Sequence, residues 1–359
     1  MQFIIKMKLW LLTYISFIAV AIILTACSLR TFVVSSNEAY RSEADAMIAS
    51  GRLKVQETQT KAVRTAIAGD NTDLQQVRNG RSKQDASDER VTVQQLSPNL
   101  RLYSPKNASS KPRPLLLYLH GGGWCFGSIM SCSRFCTELC ANSNNMVAAL
   151  DYRLAPEYPF PCALDDCTEA LQFLVREATR LGIDAKRISV GGDSSGGNLA
   201  IVSALQSNIA VHSLLLFYPV TNICPPYRAS WQTYSEGYGC DAQIMEAFAD
   251  AYVPATERSN PLVSPLLLSD TEIARLPRTL LVAAQRDVLY DQGKQFVERL
   301  HRQHVPAKHV TLTGTVHLFI TVPGQDAAFW HSVELAKNFL RINPLCYGNS
   351  YNAINWLLK

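Results

Sequence analysis

Between residues 115 and 312 the chain alternates short, uninterrupted apolar runs with longer stretches of helical periodicity. The runs are Leu115–Leu119, Val147–Leu150, Ile188–Val190, Leu214–Phe217, Leu280–Ala284 and Val310–Leu312. A strand that is apolar at every position, rather than every second one, has both faces covered. Runs of this kind separated by amphipathic segments predict an α/β fold, with a mostly parallel central sheet and helices on both faces. In such sheets ligands bind beyond the carboxyl ends of the strands, so the chemistry belongs just after the runs.

Upstream the pattern differs. Residues 42–68 carry apolar side chains at helical spacing (Ala46, Ile48, Leu53, Val63, Ile67), interrupted at Gly51. Residues 71–90 have few large apolar side chains and read as a solvated linker or loop. At the start, Lys6 and Lys8 precede an uncharged, mostly aliphatic and aromatic stretch from Leu9 to Ala26. A basic start before an apolar run is the pattern of a secretory leader. The stretch is also near the lower length limit of a spanning helix, so an uncleaved membrane anchor is the alternative. It ends Leu24-Thr25-Ala26-Cys27, which resembles the lipobox of bacterial lipoproteins and implies diacylation of Cys27 as the new first residue. Both readings leave Lys6 and Lys8 in the cytoplasm and make the rest an exported, membrane-tethered protein, on the periplasmic or outer-surface side.

Polar motifs fall where the sheet argument puts the chemistry. His120-Gly121-Gly122-Gly123-Trp124 follows the first run, Asp151-Tyr152-Arg153 the second and Gly192-Asp193-Ser194-Ser195-Gly196-Gly197 the third. Asp287 and His317 lie beyond the last two. Gly192-Asp193-Ser194-Ser195-Gly196 fits a G-x-S-x-G nucleophile elbow, with a strand before it and helical periodicity from Leu199 to Leu205 after it. The turn is so tight that side chains two residues either side of the serine would clash. Ser194 is therefore the nucleophile, because Ser195 has Asp193 two residues before it. The backbone N–H of Ser195, at the helix start, is placed to donate to an oxyanion. The string also invites comparison with chymotrypsin-like proteases, but those carry their histidine and aspartate upstream on all-β barrels.

In strand–turn–helix hydrolases the order is serine, acid, histidine. Downstream of Ser194, His212 opens a strand, His309 belongs to one, and His331 sits in a helical pattern. His301 and His304 have the spacing of a metal pair without an acidic or cysteine partner, and a solvated helix end accounts for them. No metal site and no cofactor is called for. His317, in the loop after the last strand, is the general base. Asp287 and Asp291 both follow Leu280–Ala284; Asp287 lies in the loop at the strand end, whereas Asp291 caps the next helix. Asp287 is the orienting acid, fixing the imidazole tautomer and stabilising the imidazolium. Gly122 and Gly123, with the amide of Ser195, form the oxyanion hole, and His120 and Gly121 complete the loop.

Composition adds limits. The 359 residues are 47% hydrophobic and 18% charged, below the roughly 25% charge of an average soluble domain. A net charge of +4 is too small to argue for nucleic acid, and Lys6 and Lys8 contribute part of it. Ten cysteines are too few to staple a chain of this length. With Cys27 set aside an odd number remains, so at least one stays free in an oxidising compartment. Cys132, Cys136 and Cys140 share a helical face, and Cys162 lies near Cys167, but neither spacing is a metal site.

HGGGW, DYRLAPEYPFP, GDSSGGN, RDVLYDQG and HLF occur in an order and spacing that resembles the hormone-sensitive-lipase-like family of α/β-hydrolase esterases, across roughly residues 91–341. The resemblance implies a carboxylesterase with the triad Ser194, Asp287 and His317. It also implies a helical cap built from the N-terminal segment and an insertion at about residues 221–264. Trp231, Tyr234, Tyr238, Phe248 and Tyr252 would then wall an apolar acyl pocket, or simply pack the cap. The departures are Ser195 where the family usually has alanine, and His317-Leu318-Phe319 where it usually has HGF.

The organisation that follows is a leader or anchor at 1–26, a polar segment with possible cap helices and linker at 27–90, a catalytic domain at 91–345 and a tail at 346–359. The expected reaction is hydrolysis of short- to medium-chain esters, small-molecule substrates, through an acyl-enzyme. An amidase or peptidase on the same scaffold and a non-catalytic ligand-binding protein are the alternatives.

Overall fold

The computed structural model describes residues 36–81, 87–107, 109 and 111–341. The expectations for residues 1–26, Cys27 and 346–359 lie outside them. Eight strands form one sheet: β1 (Val91–Ser97), β2 (Leu100–Pro105), β3 (Arg113–Leu119), β4 (Met146–Leu150), β5 (Ile183–Asp193), β6 (Leu214–Phe217), β7 (Thr279–Arg286) and β8 (Ala307–Val316). Their order is β1-β2-β4-β3-β5-β6-β7-β8, parallel throughout except where β2 pairs antiparallel with β1 and β4. Each of the six apolar runs lies in one of the parallel strands.

Among the described residues twelve helices surround the sheet. They are α1 (residues 36–49), α2 (Val55–Ile67), α3 (Thr72–Arg81), α4 (Ile129–Asn142), α5 (Cys162–Arg176), α6 (Ala178–Leu181), α7 (Ser195–Gln206), α8 (Ala229–Thr233), α9 (Ala242–Tyr252), α10 (Asp270–Ile273), α11 (Tyr290–Arg302) and α12 (Asp326–Arg341). Strand β3 explains why its run is continuous. Leu115, Leu117 and Leu119 point into a core with Leu171 and Leu199 of α5 and α7. Leu116 and Tyr118 point the other way, toward Phe135 of α4 and Phe339 of α12. Each fully buried leucine is worth about 2 kcal/mol, so neither face tolerates a polar side chain.

The helical spacing over 42–68 resolves into α1 and α2, joined through Gly51, which adopts a left-handed φ of 70°. The expected linker at 71–90 is corrected in its first half, where α3 runs from Thr72 to Arg81. Its single fully buried apolar anchor is Leu74, and Arg78 donates to the carbonyls of Cys125 and Ala155 and pairs with Glu157 at 2.7 Å. Leu74, the partly buried Val77 and the half-buried Arg78 dock a helix whose sequence is otherwise polar. The β1–β2 hairpin also lacks an apolar run, because β1 is an edge strand with four consecutive exposed residues.

The segment between β6 and β7 carries α8 and α9. It is pinned at its base by Gln292 of α11, whose side-chain oxygen accepts from the amides of Thr221 (2.6 Å) and Asn222 (2.7 Å). Asn198 of α7 donates to the carbonyls of Val220 (3.0 Å) and Val263 (2.9 Å), holding both ends of the insertion. Helix α2 packs on α9, with Arg64 paired to Asp250 and Gln56 donating to the Gly239 carbonyl. Helices α2 and α9 thus cover the carboxyl end of the sheet. No described helix is long and apolar enough to cross a membrane.

Candidate active site

Ser194, Asp287 and His317 each come directly after a strand: β5, β7 and β8 respectively. Three residues separated by up to 123 positions therefore converge because the parallel strands share one carboxyl edge. Ser194 sits at φ 54°, ψ −119°, a sparsely populated left-handed region that costs on the order of 1–3 kcal/mol and holds the side chain clear of the sheet. Surrounding bonds maintain it: the Ser194 amide donates to Phe217 (3.0 Å), and its carbonyl accepts from Val220 (3.0 Å). The elbow glycines are explained by space. A methyl at Gly196 would overlap the carbonyls of Leu119 and His120, and one at Gly192 would overlap Leu119 and Gly196.

His317 Nε2 lies 3.1 Å from Ser194 Oγ, and His317 Nδ1 lies 2.6 Å from Asp287 Oδ2. The second carboxylate oxygen of Asp287 accepts the Leu289 amide at 2.9 Å. All three residues are buried. The imidazole is held from several sides. Its own amide donates to the Tyr238 carbonyl (3.2 Å), its ring packs against Tyr218, and Gln325 clamps the loop. Gln325 accepts from the Val316 amide (3.0 Å) and donates to the carbonyls of Val316 (3.1 Å) and His317 (3.2 Å).

The glycine loop lies against this group. Gly122 and Gly123 line the same cavity as Ser194 and His317, and Ser195 opens α7 beside them. Gly123 has φ 61°, and a methyl there would overlap the Phe248 ring; one at Gly122 would overlap the Phe126 carbonyl. Neither position accepts a side chain. His120 is buried and stacked on Tyr152 with ring centroids 4.3 Å apart, which makes it part of the loop's packing.

Asp193, the residue before Ser194, has a role its sequence position did not disclose. Its buried carboxylate accepts from Tyr118 Oη and from the Gly121 amide, both at 3.0 Å, tying the glycine loop to the elbow. Burial pushes its pKa up to about 6, against the lowering effect of those two donors. An acid whose folded pKa is raised binds its proton more tightly when folded, so this contribution to stability is complete below the unfolded value near 4. It is lost as pH rises to about 6. The difference in melting temperature between the native chain and Asp193→Asn is therefore expected to shift in favour of the variant between pH 4 and 6, then level off above 7. Thermal denaturation across that range checks it; a flat difference would remove the raised pKa.

Other expected residues fall elsewhere. Asp291 is inside the first turn of α11, not its cap, and accepts the Ser230 amide at 2.9 Å, tethering α8. Of the five cap aromatics only Phe248 lines the cavity. Tyr252 stacks on Trp124 (4.3 Å), Trp231 on Tyr227 (3.8 Å), and Tyr234 meets Tyr238 edge-on. The eight described cysteines are all free thiols, and Cys132 and Cys136 lie 3.9 Å apart on α4. One was overlooked: Cys240 lines the cavity, and its sulfur, a carboxylate oxygen of Asp287 and a ring nitrogen of His317 lie mutually within 4.8 Å. A soft cation held by all three would displace a hydrogen bond that His317 makes to Asp287 or Ser194. Gln56 and Gln59 of α2 also reach the cavity, from a segment whose sequence gave no sign of a site.

Residues 116–321 match the family model described as alpha/beta hydrolase fold. The chain belongs to that family. This hydrolase is 38% identical over 229 residues to an ethyl acetate hydrolase of Pseudomonas putida, covering 62% of this chain and 71% of that one. It is 32% identical over 237 residues to a carboxylesterase of Mycobacterium tuberculosis (63% and 74% covered). Among solved structures, a thermostable esterase from Pseudomonas putida superposes with a TM-score of 0.68 at 26% identity, over 80% of this hydrolase and 98% of that chain.

Proposed function

We propose that the chain is a serine carboxylesterase that hydrolyses short-acyl esters through an acyl-enzyme on Ser194. One observation carries the reading: a single imidazole, that of His317, bridges Asp287 and Ser194 at hydrogen-bond distance. Ser194 Oγ attacks the ester carbonyl while His317 Nε2 takes its proton. The imidazolium that forms is stabilised by Asp287 and returns the proton to the departing alcohol. The amides of Gly122, Gly123 and Ser195 receive the developing oxyanion; a single donor of this kind is worth about 3 kcal/mol in the transition state. Water, activated by the same imidazole, then releases the acid. Relatives named as esterases and the family match support ester hydrolysis in the same direction.

Cavity size favours the short end of the acyl range. About 40 Å³ is free beside Ser194, with Ile244, Met245 and Phe248 forming an apolar part of its wall. A water needs roughly 10–15 Å³ by the same measure, so an acyl group of two or three carbons fits without movement of α9. Across p-nitrophenyl esters, kcat/KM is expected to be at least about tenfold higher for acetate or propionate than for octanoate, the scale of a few misfit methylenes. Matched anilides are expected to be hydrolysed far more slowly. A faster octanoate would overturn the acyl assignment, and a faster anilide the esterase one.

The sequence at 1–27 supports an exported enzyme held at the membrane by a lipid on Cys27 or by an uncleaved apolar helix. Cell fractionation tests this; activity recovered entirely in the soluble fraction would overturn it.

A further inference from the structure

Among the described residues Cys240 is the one thiol that lines the cavity beside Ser194. It is buried, and its sulfur lies within 4.8 Å of a carboxylate oxygen of Asp287 and of a ring nitrogen of His317. Its place is fixed by its neighbours. The Gln56 side chain donates to the Gly239 carbonyl and accepts the Asp241 amide at 2.7 Å, bracketing Cys240. The Tyr238 carbonyl accepts the His317 amide at 3.2 Å, which fastens the same segment to the loop carrying the imidazole. The thiol is thus held against Asp287 and His317 by bonds that do not involve its sulfur.

Ester hydrolysis gives Cys240 no task. Burial, then the nearby Asp287 and Asp241 carboxylates, hold its pKa well above the ordinary thiol value, so it is a protonated thiol and a poor nucleophile. A cation changes that, because it replaces the thiol proton and faces the carboxylates that disfavour a bare thiolate. Thiolate sulfur, imidazole nitrogen and carboxylate oxygen are together a donor set for Zn²⁺ and the softer Cd²⁺, whereas Mg²⁺ and Ca²⁺ take oxygen ligands. Zinc bonds of about 2.0–2.3 Å set tetrahedral ligands roughly 3.3–3.6 Å apart, so closing on an ion asks for movements of about 1 Å.

We propose that Cys240, Asp287 and His317 form an inhibitory site for a thiophilic divalent cation, Zn²⁺ or Cd²⁺. The thiol proton leaves to solvent as the sulfur–metal bond forms. An ion on His317 Nδ1 displaces the 2.6 Å hydrogen bond to Asp287, and one on Nε2 takes the lone pair that faces Ser194. Either way the imidazole no longer serves as a base. Binding itself needs no ester chemistry; its inhibitory effect rests on hydrolysis at Ser194.

The test titrates EDTA-stripped enzyme with Zn²⁺, Cd²⁺ and Mg²⁺ against p-nitrophenyl acetate. Half-inhibition by Zn²⁺ and Cd²⁺ is expected on the order of 1–100 μM, weaker than a four-ligand structural site, and reversed by EDTA, with Mg²⁺ inert at the same concentrations. Cys240→Ser and Cys240→Ala, each measured against its own metal-free rate, should raise the inhibiting concentration at least about tenfold, since even an outer-shell partner is worth that much. Cys162→Ser and Cys224→Ser change half-exposed thiols outside this cavity and should leave it unaltered. Calorimetry on Ser194→Ala reads binding without turnover, and adding Cys240→Ser should weaken Zn²⁺ there by the same factor. The proposal is overturned if neither ion inhibits the native enzyme, or if the Cys240 variants stay as sensitive as the native chain. Should both variants fail to fold, Cd²⁺ must still raise a thiolate–metal absorption band in the native enzyme in step with inhibition; inhibition without that band overturns the proposal. Zn²⁺ binding that depends on Cys240 in a chain without ester activity would overturn the esterase reading and leave the cation site standing. Ester hydrolysis indifferent to both ions would do the reverse.

Discussion

Replacing Ser194 with alanine is expected to lower kcat on short p-nitrophenyl esters by about 10⁴- to 10⁶-fold while the protein stays folded. The hydroxyl is the only atom removed, and its recorded contact is the 3.1 Å hydrogen bond to His317. Losing one such bond costs on the order of 1 kcal/mol of stability. Alanine also accepts the left-handed backbone of position 194 no worse than serine, since both carry a Cβ. A melting temperature within a few degrees of the native one therefore accompanies the loss of rate. Ser195→Ala supplies the control. Its side chain is completely buried at the start of α7, and only its amide belongs to the proposed oxyanion hole. That variant is expected to keep its rate within about tenfold, since a backbone donor survives the substitution. Activity above about one per cent in Ser194→Ala, or a larger loss in Ser195→Ala, would move the nucleophile away from Ser194.

The strand–turn–helix elbow around Ser194 was legible in the sequence because the proposed chemistry and the backbone demand the same residues. Gly192 and Gly196 occupy positions where a methyl would strike strand carbonyls, so the motif records a steric requirement as well as a function. The convergence of Asp287 and His317 on Ser194 was legible through topology: a parallel sheet delivers residues after successive strands to one edge, and both lie one residue past a strand. What stayed hidden depends on contacts between distant segments. Helix α3 looks like a linker because its few apolar side chains are spaced by polar ones and Arg78, its main polar tether, finds its partners at positions 125–157. Gln325 is an unremarkable glutamine in a loop until its amide is seen holding His317. Gln59 and Cys240 reach the cavity from segments far apart in the chain, and no spacing relates either to Ser194.

Asp193 is the intermediate case. It was visible in the sequence only as part of the elbow motif. Its partners were not, because Tyr118 and Gly121 belong to β3 and the loop after it. The cap aromatics resolve toward the second of their two readings, packing of the cap. Their composition suggests a pocket wall, but Trp231, Tyr234 and Tyr238 find aromatic partners within the cap and Tyr252 stacks on Trp124 of the glycine loop, so ring packing accounts for four of the five.

Asp287→Asn is expected to lower kcat by about 10⁴-fold at neutral pH, and Asp291→Asn by less than tenfold. The first effect follows from where each carboxylate oxygen is committed. One oxygen of Asp287 accepts the Leu289 amide at 2.9 Å, so an asparagine there keeps its carbonyl oxygen on that amide. Its NH₂ must then face His317 Nδ1, where the carboxylate lay at 2.6 Å. A donor at that position forces the imidazole proton onto Nε2, which then points a hydrogen, not a lone pair, at Ser194. The ring keeps its place and loses its function as a base, and the imidazolium loses its counter-charge. Asp291 has no such constraint: asparagine still accepts the Ser230 amide through its carbonyl oxygen, so α8 stays tethered. Steady-state rates of the two purified variants decide between the carboxylates, and the opposite ranking would exchange their roles. The double variant Ser194→Ala with Asp287→Asn carries the argument one step further. If the aspartate acts only by setting the imidazole for the serine, then removing the serine first leaves it nothing to act on. The double variant should be no slower than Ser194→Ala alone.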